Sequence, residues 1–129
     1  MTTRRVLIVD DDRQMVETLQ NVLRLHGWES DGVYSGEQAI EAVRRTSFAV
    51  VLMDLKMTGM DGVSALRSIR AERPRLPVLL MTAFATRETI LLAEQEGAVR
   101  VFPKPFEPAV LLQNLELTVK RAEEEEGGA

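Results

Sequence analysis

Two rhythms of apolar and polar positions alternate along the chain. Short apolar stretches rich in β-branched residues occur at Val6 to Val9, Ala49 to Met53, Val78 to Met81 and Val99 to Phe102. Each has the length of a strand. Between them apolar residues recur three and four apart: Met15, Leu19, Val22 and Leu23 share one face, as do Val63, Leu66 and Ile69, and likewise Leu111, Leu115 and Val119. The interval after Val9 is the longest and holds two helical patterns, so the weaker stretch "ESDGVYS", Glu29 to Ser35, is read as a strand dividing them. The chain is thus predicted to hold five strand–helix units.

The turn chemistry agrees with these boundaries. Gly27 follows the first helix where a left-handed residue is wanted, and Ser35, Asp61 and Thr86 precede helices where a side-chain oxygen can accept from a free backbone N–H. The first, third and fourth strands are continuously apolar, as strands covered on both faces are, while "DGVYS" and "VRVF" are mixed and belong at the edges. An α/β fold follows, a doubly wound five-stranded parallel sheet of order 2-1-3-4-5 with helices on both faces. With right-handed crossovers, its site lies outside the carboxyl ends of the strands, beside the switch between strands 1 and 3.

Composition narrows the class without changing this picture. The chain has 129 residues, enough for one domain, with 45% hydrophobic and 28% charged residues. The formal net charge is −4, and the run Glu123 to Glu126 accounts for all of it, so no basic footprint for nucleic acid is expected. There is no cysteine, hence no disulfide framework or thiolate metal site. The longest apolar run, Phe48 to Met53, is far too short to span a bilayer, and the four residues after Arg4 and Arg5 are too few for a secretory signal. A cytoplasmic domain over residues 1–121 is expected, with 122–129 an acidic tail or the start of a linker.

At the predicted carboxyl ends stand Asp10, Asp11 and Asp12 after strand 1, Asp54 after strand 3, Thr82 after strand 4 and Lys104 after strand 5. Taken singly, each has an ordinary reading: a capping carboxylate, a loop residue, a buried hydroxyl, a surface charge. Collected on one rim, like carboxylates repel unless a cation compensates them. Oxygen ligands with no His or Cys nearby point to Mg²⁺.

Through "VDDD" at 9–12, "MDLKMTGMDG" at 53–62, "MTAF" at 81–84 and "PKPF" at 103–106, the chain resembles a response-regulator receiver domain over about residues 4–121. The resemblance implies Asp54 as phosphoryl acceptor, Asp10 and Asp11 as the acidic pair at Mg²⁺, and the Lys56 carbonyl as a further metal ligand, leaving Asp12 to local capping. It implies that Thr82 bonds a phosphoryl oxygen, that small Ala83 leaves it room, and that Lys104 neutralises it, with Pro105 fixing the lysine's backbone through a cis bond. It further implies that Lys56 and Phe84 tune the lifetime of the phosphate. Two departures stand out: Thr58 replaces the proline usual after the acceptor, and Val101 replaces the aromatic residue that usually swings when the threonine shifts. Phe102, one residue on, is expected on the opposite face.

The remaining candidates have structural explanations. His26 suits a helix C-terminus, Trp28 the core, and Met53, Met57, Met60 and Met81 packing around the strand ends. The expected function is a switch rather than a metabolic enzyme: phosphorylation by a sensor histidine kinase, and a readout face of helix 4, strand 5 and helix 5 for an output domain or partner, with a homodimer through that face left open. "FATRETI" and "PKPFEP" are similar to receivers of enhancer-binding, NtrC-type activators. Two alternatives stay open: a constitutive docking module on a receiver fold, and a haloacid-dehalogenase-type phosphohydrolase, against which Lys56 stands where that family needs a second acid.

Overall fold

The computed structural model describes residues 4–57 and 59–127. Thr58 lies outside the described residues. Among these, strands and helices alternate: β1 (Arg5–Val9), α1 (Arg13–Leu25), β2 (Glu29–Val33), α2 (Gly36–Arg45), β3 (Val50–Asp54), α3 (Gly62–Glu72), β4 (Val78–Thr82), α4 (Arg87–Gln95), β5 (Arg100–Pro103) and α5 (Pro108–Gly127). All pairings are parallel, in the order β2-β1-β3-β4-β5. The three inner strands are wholly or almost wholly buried, and the mixed strands β2 and β5 lie at the edges, as their sequences require.

Alternating side chains divide the core in two. Leu7, Val9, Val51, Met53 and Leu80 pack against α2 and α3 through Val43, Leu66 and Ile69. Val6, Ile8, Leu52, Leu79 and Met81 pack against α1 and α5 through Leu19, Leu23, Leu111 and Leu115. The inward face of α1 is set by Val16, Leu19 and Leu23, with Met15 and Val22 only half-buried, because a stripe centred on those three lies along the sheet. Trp28 is buried in the same layer.

Helix ends follow the expected chemistry. Ser35, Asp61 and Thr86 each accept from a backbone N–H of the first turn, and Gly27 takes φ +82° just beyond α1. His26 caps α1, its Nδ1 2.9 Å from the Val22 carbonyl oxygen. Glu123 to Glu126 lie within α5, which extends to Gly127. Glutamate is a good helix former, and the long apolar contact of α5 carries the helix onward.

The Asp61 cap gives a measurable effect. Its bond from the Ser64 N–H holds the carboxyl below its ordinary value. Its stabilisation is therefore present above the unfolded pKa and lost as pH falls through the folded one. Asp61→Ala is expected to cost about 1 kcal/mol at neutral pH. In urea titrations the gap between variant and parent narrows as the pH drops below about 4.

Candidate functional site

Parallel register builds the site. Val9 pairs with Met53, Asp54 with Met81, and Thr82 with Pro103, so Asp10, Asp54, Thr82 and Lys104 arrive side by side at the carboxyl edge of β1, β3, β4 and β5. The Lys104 N–H donates to the Thr82 carbonyl at 2.8 Å, which extends the ladder one residue past β5. The Lys104–Pro105 peptide bond is cis, as expected from the sequence.

Asp10 is fully buried and Asp54 is 8% exposed. Neither is left uncompensated. The Lys104 ammonium donates to Asp10 Oδ2 at 2.9 Å and to Asp54 Oδ2 at 3.1 Å. Asp10 Oδ1 accepts from the Asp12 N–H at 3.0 Å, and Asp54 Oδ1 from the Lys56 N–H at 3.1 Å. Carboxylate oxygens of Asp10, Asp11 and Asp54 lie within 4.8 Å of one another, with Asp11 the exposed member. Asp12 turns away and caps α1, accepting from the Gln14 and Met15 N–H groups.

Burial pushes the Asp54 carboxyl upward; the Lys104 and Lys56 bonds oppose it, and the net displacement remains upward. For Lys104, burial pulls downward but the bonds to Asp10 and Asp54 prevail, so the ammonium is held above its ordinary value. A partly buried, doubly bonded cation is thus held between two carboxylates, with Asp11 completing the acidic group.

Thr82 is fully buried at the end of β4, and its hydroxyl oxygen accepts from the Phe84 N–H at 3.0 Å, shaping the turn that exposes Ala83. Phe84 is 62% exposed, and the Lys56 ammonium sits 4.7 Å from its ring centroid. The sequence names these two residues for one role, but their contact had no signature in local spacing. Also unread was Gly62, whose N–H donates to the Leu55 carbonyl at 2.8 Å and where a Cβ would meet that same oxygen at 2.5 Å. This close approach folds the segment after β3 back on itself. Val101 is half-buried against the α3 side of the core, and Phe102 is buried on the other face, its ring centroid 5.8 Å from that of Phe106.

An acidic group, a hydroxyl and a lysine are thus gathered at adjacent strand ends of an open doubly wound sheet. The chain matches the response regulator receiver domain over residues 6–116 and belongs to that family. It is 43% identical over 108 residues to the response regulator protein FleR of Pseudomonas aeruginosa, covering 84% of this chain and 23% of that protein. It is 39% identical over 117 residues to the transcriptional regulatory protein ZraR of Escherichia coli K12, covering 91% and 26%. The chain therefore spans about a quarter of these relatives. In structure it is similar to a CheY-like receiver domain protein of Methanospirillum hungatei, with a TM-score of 0.92, 25% identity, and coverage of 96% of this chain and 99% of that one. These relatives are regulators, not hydrolases by name. Among the described residues, no helix is long and apolar enough to cross a membrane.

Proposed function

We propose that this domain accepts a phosphoryl group on Asp54 from the phosphohistidine of a sensor histidine kinase and thereby switches an output domain or partner. The reading is carried by the Lys104 ammonium held between buried Asp10 and Asp54, within hydrogen-bonding distance of both. Asp54 supplies the nucleophile. One of its carboxylate oxygens bonds to phosphorus as the phosphorus–nitrogen bond breaks, and the imidazole nitrogen leaves with the bonding pair and gains a proton. Later attack of water on phosphorus restores the carboxylate and releases inorganic phosphate.

The donor set fits Mg²⁺: three carboxylates converge within 4.8 Å, with no nitrogen or sulfur ligand among them. Asp10, Asp11, Asp54 and the Lys56 carbonyl would hold the ion. When bound, Mg²⁺ neutralises charge that builds on the phosphoryl oxygens. Lys104 offers a fixed positive charge from the protein itself, already desolvated and oriented. Thr82 can release the Phe84 N–H and donate its hydroxyl to a phosphoryl oxygen, and exposed Ala83 leaves space for that group. We place the reaction in the cytoplasm, where a kinase supplies the phosphoryl group, and assign no DNA contact to this domain. Incubation with acetyl phosphate and Mg²⁺ is the test: intact mass should rise by one phosphoryl group, and a protein that stays unmodified with or without Mg²⁺ refutes the reading.

Lys56 and Phe84 form a partial cover over this position. Phe84→Ala removes the ring and exposes the phosphate to water, and is expected to shorten the phosphoaspartate half-life by about threefold to tenfold, the worth of a contact of about 0.5–1.5 kcal/mol. Decay of the phosphorylated mass after donor removal measures it.

The readout we assign to the face of α4, β5 and α5, where Leu91, Leu92 and Val110 are exposed. Val101 has no ring to follow a shift of Thr82, so this switch relies on the loops after β3 and β4 and on α4. Activation should shift populations by only about 1–3 kcal/mol, leaving an active fraction visible before phosphorylation. Relaxation dispersion on the free protein should detect exchange in Ala83 to Gln95. A large rearrangement centred on Val101, with no exchange in the free protein, contradicts this route.

A further inference from the structure

At the opposite end of the sheet from Asp54, the segment entering β4, the start of β5 and the outer part of α5 enclose a cleft of about 650 Å³. Four guanidinium groups line it, from Arg70, Arg75, Arg100 and Arg121, against the single carboxylate of Glu125 among the described residues. This local excess of positive charge belongs to a chain that is acidic as a whole. Elsewhere among the described residues Arg4, Arg5, Arg44, Arg45 and Arg67 each meet a carboxylate, while Arg24 and Arg73 bond other oxygens and Arg13 stacks on Tyr34. Among the described residues the four in the cleft form no ion pair: Arg70 donates to the Gly97 carbonyl at 3.4 Å, and Arg100 lies 5.6 Å from the Phe102 ring centroid. Val99 and Leu117, 49% and 45% exposed, add apolar walls.

We propose that this cleft is a binding site for a nucleotide carrying two or more phosphate groups. Guanidinium forks match phosphate oxygens in pairs, and several unpaired arginines around one concavity provide the donors a polyphosphate takes up. The volume exceeds what an inorganic ion fills and lies within the range of small-molecule sites, and the walls at Val99 and Leu117 give a planar base an apolar surface. The position, beyond the amino ends of β4 and β5, keeps it separate from the phosphorylation site. Arg70 also links the cleft to α4, because Gly97, at φ +102°, packs so closely on its side chain that a Cβ there would lie 2.3 Å from Nε. A nucleotide drawn to Arg70 therefore acts on the turn that ends α4.

The experiment uses the full chain in EDTA, titrated with ADP, pyrophosphate and adenosine and followed by amide chemical shifts and calorimetry. ADP should bind more tightly than either part alone, moving the signals of Gly97, Val99, Arg100 and Thr118 while leaving those around Asp10 and Asp54 in place. Replacing Arg75 and Arg121 together by glutamate should weaken ADP binding by at least about tenfold, since each charge-assisted bond is worth that much. Arg87→Glu, outside the cleft, should change nothing, and amide spectra confirm that both variants fold. The proposal is overturned if ADP shifts no cleft signal, if the double variant binds as the parent does, or if an oligoglutamate peptide displaces ADP at lower concentration, which makes the cleft an acidic-segment site instead. Phosphorylation of Asp54 is scored separately, so failure here leaves that reading untouched.

Discussion

Asp54→Asn should remain folded and take up no phosphoryl group from acetyl phosphate and Mg²⁺, while the parent becomes singly labelled. The substitution keeps shape and keeps an oxygen that can accept from the Lys56 N–H, and the Lys104 bond to Asp10 at 2.9 Å does not depend on residue 54. What it removes is the anionic oxygen able to attack phosphorus. Asp10 and Asp11 stand in the same group, so the variant also asks whether a neighbour can substitute. Both Asp10 and Asp54 are hydrogen-bonded through both oxygens, but Asp10 is fully buried whereas Asp54 keeps 8% exposure, so access favours Asp54 as the nucleophile. Intact mass and peptide mapping decide the matter. Equal labelling of variant and parent, or label recovered on Asp10 or Asp11 in the parent, removes Asp54 from the acceptor role.

The architecture was legible because burial writes itself into strand composition. β1, β3 and β4 are covered on both faces and read as unbroken apolar runs, and the polar residues that interrupt β2 and β5 point to the two edges. Strand order then places Asp10, Asp54, Thr82 and Lys104 on one rim without any knowledge of side-chain positions. Compensation of the carboxylates was less legible. From the sequence, an ion balances the acidic run and Lys104 waits for phosphate; in the structure, Lys104 itself spans Asp10 and Asp54, a contact between residues 94 and 50 positions apart. No local pattern encodes so distant a pairing. The same holds for Lys56 over Phe84 and for the arginine cleft, whose members come from α3, the entry to β4, β5 and α5. Glu123 to Glu126 are helical within α5, because glutamate favours continuation once a helix is anchored.

Lys104→Met should expose how much of the fold's stability this central cation carries. Methionine is close to lysine in length and keeps an apolar stem but removes the charge, so Asp10 and Asp54 stay buried beside Asp11 without the ammonium that bonds them both. Breaking one side of a buried ion pair costs more than the pair contributes, because the remaining charge cannot return to water. Lys104 is 16% exposed, which moderates the effect, and a loss of about 2–4 kcal/mol in EDTA is expected. Two controls separate charge from packing. Adding Asp10→Asn to Lys104→Met should restore part of the loss, because the two changes act on one contact and cannot be additive. Millimolar Mg²⁺ should stabilise Lys104→Met more than the parent, since the ion replaces the missing positive charge and binds only the folded arrangement of carboxylates. Urea unfolding of the parent, Lys104→Met, Asp10→Asn and the double variant, with and without Mg²⁺, gives each quantity directly. If Lys104→Met matches the parent within about 0.5 kcal/mol in EDTA, or if Asp10→Asn adds its own full cost to it, the ammonium is not what makes the buried carboxylates tolerable, and the balance of charge at this site must be sought in the backbone N–H groups of Lys56 and Asp12.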